Sequence, residues 1–161
     1  MVVSFEGRVE AIHIASAEGE PVRAIAEVHA VPGRGLEGDR YFELLGTFSR
    51  KHTPGREVTL IEVEAIAALA SENDIELEPG ATRRNITTRG VPLNHLVGRE
   101  FRVGDALLRG VKLCEPCSLL ESRTRPGVRK ALAHRGGLNA AVVRAGVIRT
   151  GDPICPSPFA P

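Results

Sequence analysis

Short alternating segments are separated by Gly, Pro and Asp at roughly 8–12-residue intervals, the spacing of sandwiches and barrels. No other feature restricts the fold of this chain as much. FEGRVEAIHIA (Phe5–Ala15), AIAEVHAV (Ala24–Val31), REVTLI (Arg56–Ile61), RRNITT, REFRVG and ALLRGVKLC each read as a strand. LNAAVVRAG and VIRTGDPI read as two more. The clearest helix is EVEAIAALASEND, where Val63, Ile66, Ala67, Leu69 and Ala70 repeat at helical spacing. VPLNHLVG predicts a short helical turn ended by Gly98, and Cys117 to Ser122 one more turn. PGVRKALAHRGG predicts a helix from Pro126, stopped by Gly136 and Gly137. The expected fold is therefore mainly β (α+β by content), a barrel or sandwich with a few short inserted helices.

The 161 residues fit one domain, with a core over residues 5–155 and a Pro-rich tail at 156–161. A hydrophobic content of 42% is enough for a sizeable core, and no run approaches the length of a membrane span. The first residues, MVVSFEGRVEAIHIA, read as a strand rather than a signal peptide. Three cysteines, an odd count, argue against a disulfide framework and for a reducing cytoplasm.

Charge is distributed unevenly. Residues 1–80 hold 7 Lys and Arg against 15 Asp and Glu; residues 81–161 hold 14 against 5, almost all arginine. Either the second half builds an anion site, since arginine grips phosphate and carboxylate through two parallel bonds, or the halves interleave and neutralise each other. Aromatic residues make up only 4%, which leaves few stacking platforms, so nucleic acid is not an expected partner.

Four stretches could carry chemistry. In KLCEPCSLLE, Cys114 and Cys117 flank Pro116. A zinc site would need two further ligands, from Cys155 and His13, His29, His52, His95 or His134, none spaced as a second knuckle. A redox pair normally sits in a βαβ setting, whereas this one follows a hairpin. Cys114 ends an apolar strand and reads as packing. Cys117 falls at the start of a helical turn, where backbone N–H groups and the nearby Arg123 and Arg125 favour a thiolate. In TRRNITTRG, strand alternation puts Arg83, Asn85 and Thr87 on one face and Arg84, Ile86 and Thr88 on the other. One face then offers donors to an anionic ligand; the alternative is a charged edge strand. GRGLEGDRY has three glycines that permit close backbone approach, with Asp39 and Arg40 free to pair with each other or with a ligand. HRGGLNAAV has paired glycines entering a strand, and His134 and Arg135 either serve a site or cap the preceding helix.

The order GLEGDRY, EVTLIE, RRN, LVGREFRVGDALL, CEPC, RGGLNAAVV, GVIRTGDPI resembles the MOSC family, named for the C-terminal part of molybdenum cofactor sulfurases. The resemblance runs from about Gly7 to Ile154. It implies a β-barrel-like core that binds the molybdenum cofactor (molybdopterin). Cys117 matches the family's characteristic cysteine, which is a molybdenum ligand in amidoxime-reducing relatives and a proposed sulfur carrier in sulfurases. The family's R-x-N or R-P-N segment falls on Arg84 and Asn85, with Arg83 the other candidate for the key arginine. Arg40, Thr87 and Arg135 complete the cofactor-binding set.

Full sulfurases carry a PLP-dependent cysteine desulfurase domain, for which 161 residues leave no room, so PLP is not expected in this chain. The implied partners are a cysteine desulfurase, a molybdoenzyme or an electron-donor protein, with neither nucleic acid nor membrane. Three functions stay open: a sulfur carrier or cofactor-transfer protein acting through Cys117; a molybdenum oxidoreductase that reduces N-hydroxylated compounds; and a non-catalytic binding module.

Overall fold

The structure is a computed structural model that describes residues 4–42 and 55–157. Eleven strands and three α-helices are present among these residues: β1 (Gly7–Ile14), β2 (Arg23–Ala24), β3 (Glu27–Val31), β4 (Gly35–Leu36), β5 (Val58–Glu62), α1 (Val63–Asn73), β6 (Ile86–Arg89), β7 (Glu100–Val103), β8 (Ala106–Leu113), α2 (Ser118–Arg123), α3 (Val128–Ala131), β9 (Leu138–Arg144), β10 (Gly146–Arg149) and β11 (Pro153–Pro156). A 3-10 turn occupies Leu93–Leu96, where a short helical turn is predicted. The segment expected as one last strand is two, because the Thr150–Asp152 turn reverses the chain between β10 and β11.

Seven strands close into a barrel in the order β11-β7-β8-β9-β5-β6-β1, and β1 returns to β11 through the pairs Gly7↔Ile154 and Arg8↔Pro153. Closure leaves no free edges in this ring, which is how such a sheet avoids pairing with other chains. Only β5 and β6 run parallel in the barrel, because α1 carries the chain from one to the other. β2 extends the sheet from β1, and β10, β3 and β4 form a separate three-stranded sheet.

Period-2 alternation sorts the side chains between two apolar clusters. Val58 and Leu60 of β5 point into the barrel, with Val9, Ile12, Ile86, Phe101, Leu108 and Leu138. Ile61, their neighbour on the same strand, points outward and meets Ala65 and Leu69 of α1, Leu120 of α2, Val128 of α3 and Leu132. The three helices thus lie on one outer face of the barrel, and burying each large side chain contributes about 1.5–3 kcal/mol. Glu121 fastens this layer: its Oε1 accepts from the backbone N–H of Gly127 and Arg129 at the start of α3.

The charge asymmetry is resolved by interleaving. Arg89 pairs with Glu10, Arg135 with Glu72, Arg149 with Glu27, and Arg123 lies 3.8 Å from Glu18. Each pair joins a basic residue of the second half to an acidic residue of the first. Arg83 and Arg84 have no carboxylate partner among the described residues.

Candidate functional site

β8 ends at Leu113 and the chain leaves the barrel through Cys114-Glu115-Pro116 before α2 begins. Cys117 is the N-cap of α2, with extended backbone (φ −124°, ψ 172°) and a side chain that makes no capping bond. It is exposed, whereas Cys114 is half-buried. Burial raises the Cys114 thiol pKa above its ordinary value, the Arg84 charge opposes this, and Cys117 adds to the rise.

Paired glycines hold this loop in place. Gly136 packs so closely under it that an added Cβ would meet the Cys114 carbonyl oxygen and, at 2.9 Å, the Pro116 ring. Gly137 has φ +114°, and a Cβ there would strike the carbonyl of Leu60. The Cys114 N–H donates to the Gly137 carbonyl at 2.7 Å. The close approach expected of the RGG motif is that of Gly136 to the cysteine loop and of Gly137 to β5.

The loop before β6 supplies the cations. Arg83 sits in the left-handed region (φ +61°) and regular strand begins only at Ile86, so simple alternation does not apply there. Arg83 and Arg84 consequently line one cavity of about 370 Å³ together, with Arg40, Tyr41, Cys114 and Cys117. Arg84 donates to three main-chain carbonyls, Gly136 (2.9 Å), Thr82 (3.3 Å) and Cys114 (3.3 Å). Arg83 uses Nη1 on the Glu20 carbonyl at 2.7 Å, while its Nη2 is buried with no partner among the described residues. Burial, then the charges of Arg40 and Arg123, lower the Arg83 pKa from its usual value. Arg40 is buried against Asp39 (3.1 Å), donates to the Arg83 carbonyl (3.2 Å) and stacks on the Tyr41 ring at 4.5 Å.

A family model for the MOSC domain matches residues 47–155. The chain belongs to the MOSC domain family. Among solved structures, this MOSC domain is similar to the YuaD protein from Bacillus subtilis, with a TM-score of 0.77 and 19% identity over 96% of this chain and 97% of that one. It is also similar to YiiM from Geobacillus stearothermophilus (TM-score 0.69, 17% identity, 94% and 75% of the two chains). YiiM from Escherichia coli gives a TM-score of 0.64 at 18% identity, over 97% and 70%. At these identities the likeness is one of fold. No curated protein sequence matches the chain.

Of the residues singled out in the sequence, the MOSC barrel gathers Cys117, Arg40, Arg83 and Arg84 at one cavity. Three others are placed elsewhere. The Asn85 side chain is fully buried: its Oδ1 accepts from the Thr59 N–H and hydroxyl, and its Nδ2 donates to the His13 carbonyl. Thr87 is buried within β6, beyond the cavity walls. Arg135 bonds Glu72 and the Ala131 carbonyl at the helical layer, so of the two roles open to it the helix cap is the one observed. Cys155 lies along a different groove, beside Arg8 and Arg89. Among the described residues no group of three or more His, Cys, Asp or Glu is placed to hold a metal ion; His52 lies outside those residues.

The cavity floor was not anticipated. Lys112 on β8 pairs with Asn139 on β9, which pairs with Thr59 on β5, so three strands present one polar row at the end of the barrel. Each residue alone is one polar position in an apolar strand. Only the register, which sequence spacing does not supply, aligns them.

Proposed function

We propose that this MOSC domain binds the molybdenum cofactor and carries sulfur, or transfers the cofactor, through Cys117. The observation that supports the reading is an exposed thiol at the mouth of a cavity whose wall includes Arg83 and Arg84, neither of them ion-paired among the described residues. The residues present fit the group. A volume of about 370 Å³ falls in the range of small-ligand pockets. Arg83 suits a phosphate, and Lys112 adds a second cation to the cavity lining. A bound cofactor would supply a soft metal–sulfur centre, the kind of partner a thiolate prefers. Cys117 would meet it, while Arg84 and Gly136 keep the cysteine loop in position.

In this reading Cys117 holds a persulfide handed over by a cysteine desulfurase or passed on to a molybdoenzyme, in a reducing cytoplasm. A second reading is favoured by the lack of any capping bond at Cys117, which leaves its sulfur free to ligate molybdenum. The protein would then be an oxidoreductase that reduces N-hydroxylated compounds with electrons from a separate donor.

Two measurements test the proposal: molybdenum and pterin analysis of protein made in a cofactor-competent host, and intact mass after incubation with a cysteine desulfurase and cysteine. Expected are bound pterin and a gain of about 32 Da on Cys117 that is lost in Cys117→Ser. Pterin with stoichiometric molybdenum and no persulfide favours the oxidoreductase. Folded protein that takes up neither cofactor nor sulfur sinks both readings.

A further inference from the structure

We propose that the Cys117 site is a sulfurtransferase site whose donor is a small dianion carrying a sulfane sulfur on a sulfonate, the thiosulfate class. The proposal rests on the sulfur-carrier reading above and names the sulfur donor.

Two observations converge on it. Beside Cys117 a recess of about 70 Å³ opens between Arg83, Arg123 and the α2 residues Leu119 and Leu120. One water takes up about 30 Å³ of liquid, so the recess suits an anion of a few heavy atoms rather than a fused ring. It shares Arg40, Tyr41, Arg83, Arg84 and Cys117 with the larger cavity, so an anion held there sits next to the thiol.

The second observation is charge. Arg40 is neutralised by Asp39, and Arg123 faces Glu18. Arg83 and Arg84, by contrast, hydrogen-bond only to main-chain carbonyls; Asp39 acts on Arg83 through charge alone and is already paired with Arg40, so two positive charges remain without an ion-paired carboxylate among the described residues. Two such charges match a dianion and disfavour a neutral or cationic donor.

The chemistry balances without an added oxidant or reductant. The Cys117 thiolate attacks the outer sulfur of thiosulfate and forms a new S–S bond. The bond between outer and central sulfur breaks, and sulfite leaves with the electron pair. Cys117 is left as a persulfide, which an acceptor thiolate, or cyanide in an assay, removes to restore the thiolate. Arginines that hold the sulfonate also stabilise the charge that grows on the departing sulfite.

The test uses the full chain with thiosulfate and cyanide, read out as sulfite and thiocyanate formed and as intact mass. Expected are catalytic turnover, a gain of about 32 Da on Cys117 when cyanide is omitted, and loss of both in Cys117→Ser. Arg83→Gln should raise KM for thiosulfate about tenfold, the loss of one charge-assisted hydrogen bond. Sulfate, which has the charge but no sulfane sulfur, should inhibit the wild type competitively, a measurement that needs no variant to fold. Sulfite release that is absent in wild type, although a desulfurase still loads Cys117, overturns the thiosulfate proposal and leaves the carrier reading standing. If neither donor loads Cys117, both fall. Turnover that neither sulfate nor Arg83→Gln affects overturns the assignment of the anion site.

Discussion

Arg84 donates from Nη2 to the main-chain carbonyl of Cys114 at 3.3 Å, and so ties the segment before β6 to the loop that carries Cys117. Its Nε reaches Gly136 at 2.9 Å, which brings the third loop of the site into the same clamp. Replacing Arg84 with Ala leaves three carbonyls without this donor. The expected loss is about 2–3 kcal/mol of stability, with partial rescue by Lys, which cannot span three carbonyls in one plane. Urea unfolding measures the first. Faster hydrogen exchange at the Cys114 amide would report the loosened loop; unchanged exchange in Arg84→Ala contradicts the clamp.

Asn85 should matter for the barrel and not for ligand binding. Its amide bridges β5 and β1 through Thr59 and His13 in a fully buried position. Asn85→Ala removes the partners of the buried Thr59 N–H, of the proton donated by the Thr59 hydroxyl and of the His13 carbonyl, and about 2–4 kcal/mol of stability should be lost. Thermal unfolding checks this. A variant as stable as wild type but defective in anion binding would return Asn85 to the ligand site.

The two glycines Gly137 and Gly151 separate strain from collision. Both have positive φ, +114° and +91°, but a Cβ on Gly137 would strike the Leu60 carbonyl, whereas at Gly151 nothing lies within 4 Å. Gly151→Ala should cost about 1 kcal/mol, the conformational penalty alone. Gly137→Ala should cost at least about 3 kcal/mol, because β9 must also shift away from β5. Equal unfolding midpoints for the two variants would refute the close-packing argument.

His13 predicts a stability loss in mild acid. Burial lowers its pKa, its ring lies against Gly80, and its Nδ1 has no partner among the described residues. Above about pH 6.5 the ring is neutral in the folded and unfolded chain alike. Below that the unfolded chain takes the proton first, so stability falls with pH until the lower folded pKa is passed, then levels out. Urea midpoints at about pH 7.5 and 5.5, either side of the ordinary histidine value, should converge in His13→Leu relative to wild type. Identical pH dependence in the two proteins would show that His13 carries none of it.

The CEPC cysteines should alkylate in order. Cys117 is exposed at the N-cap of α2, while burial raises the Cys114 pKa. Iodoacetamide near pH 7.5, about a unit below an ordinary thiol pKa, should modify Cys117 first, with Cys114 reacting only as pH rises or the chain unfolds. Peptide mass mapping over time reads this directly, and equal rates at both positions would be incompatible with the burial seen.

Much of the barrel is written in local pattern. The apolar alternation of β1, β5, β7 and β8, the helical repeat of α1 and the glycine stops are properties of a few neighbouring residues, set by the periods of strand and helix. The unequal exposure of Cys114 and Cys117 was legible for the same reason: one follows directly on an apolar strand and the other caps a helical turn. Tertiary structure decided what depends on register and on departures from alternation. Left-handed backbone at Arg83 turned two arginines expected on opposite faces toward one cavity, and the buried Thr59–Asn85 pair drew the expected ligand donor into the barrel wall. The row Lys112–Asn139–Thr59 exists only because three strands far apart in the chain pair in one register. Period and propensity act over a few residues, whereas a site is assembled from the loops at one end of a closed sheet, so its membership is settled only when the barrel closes.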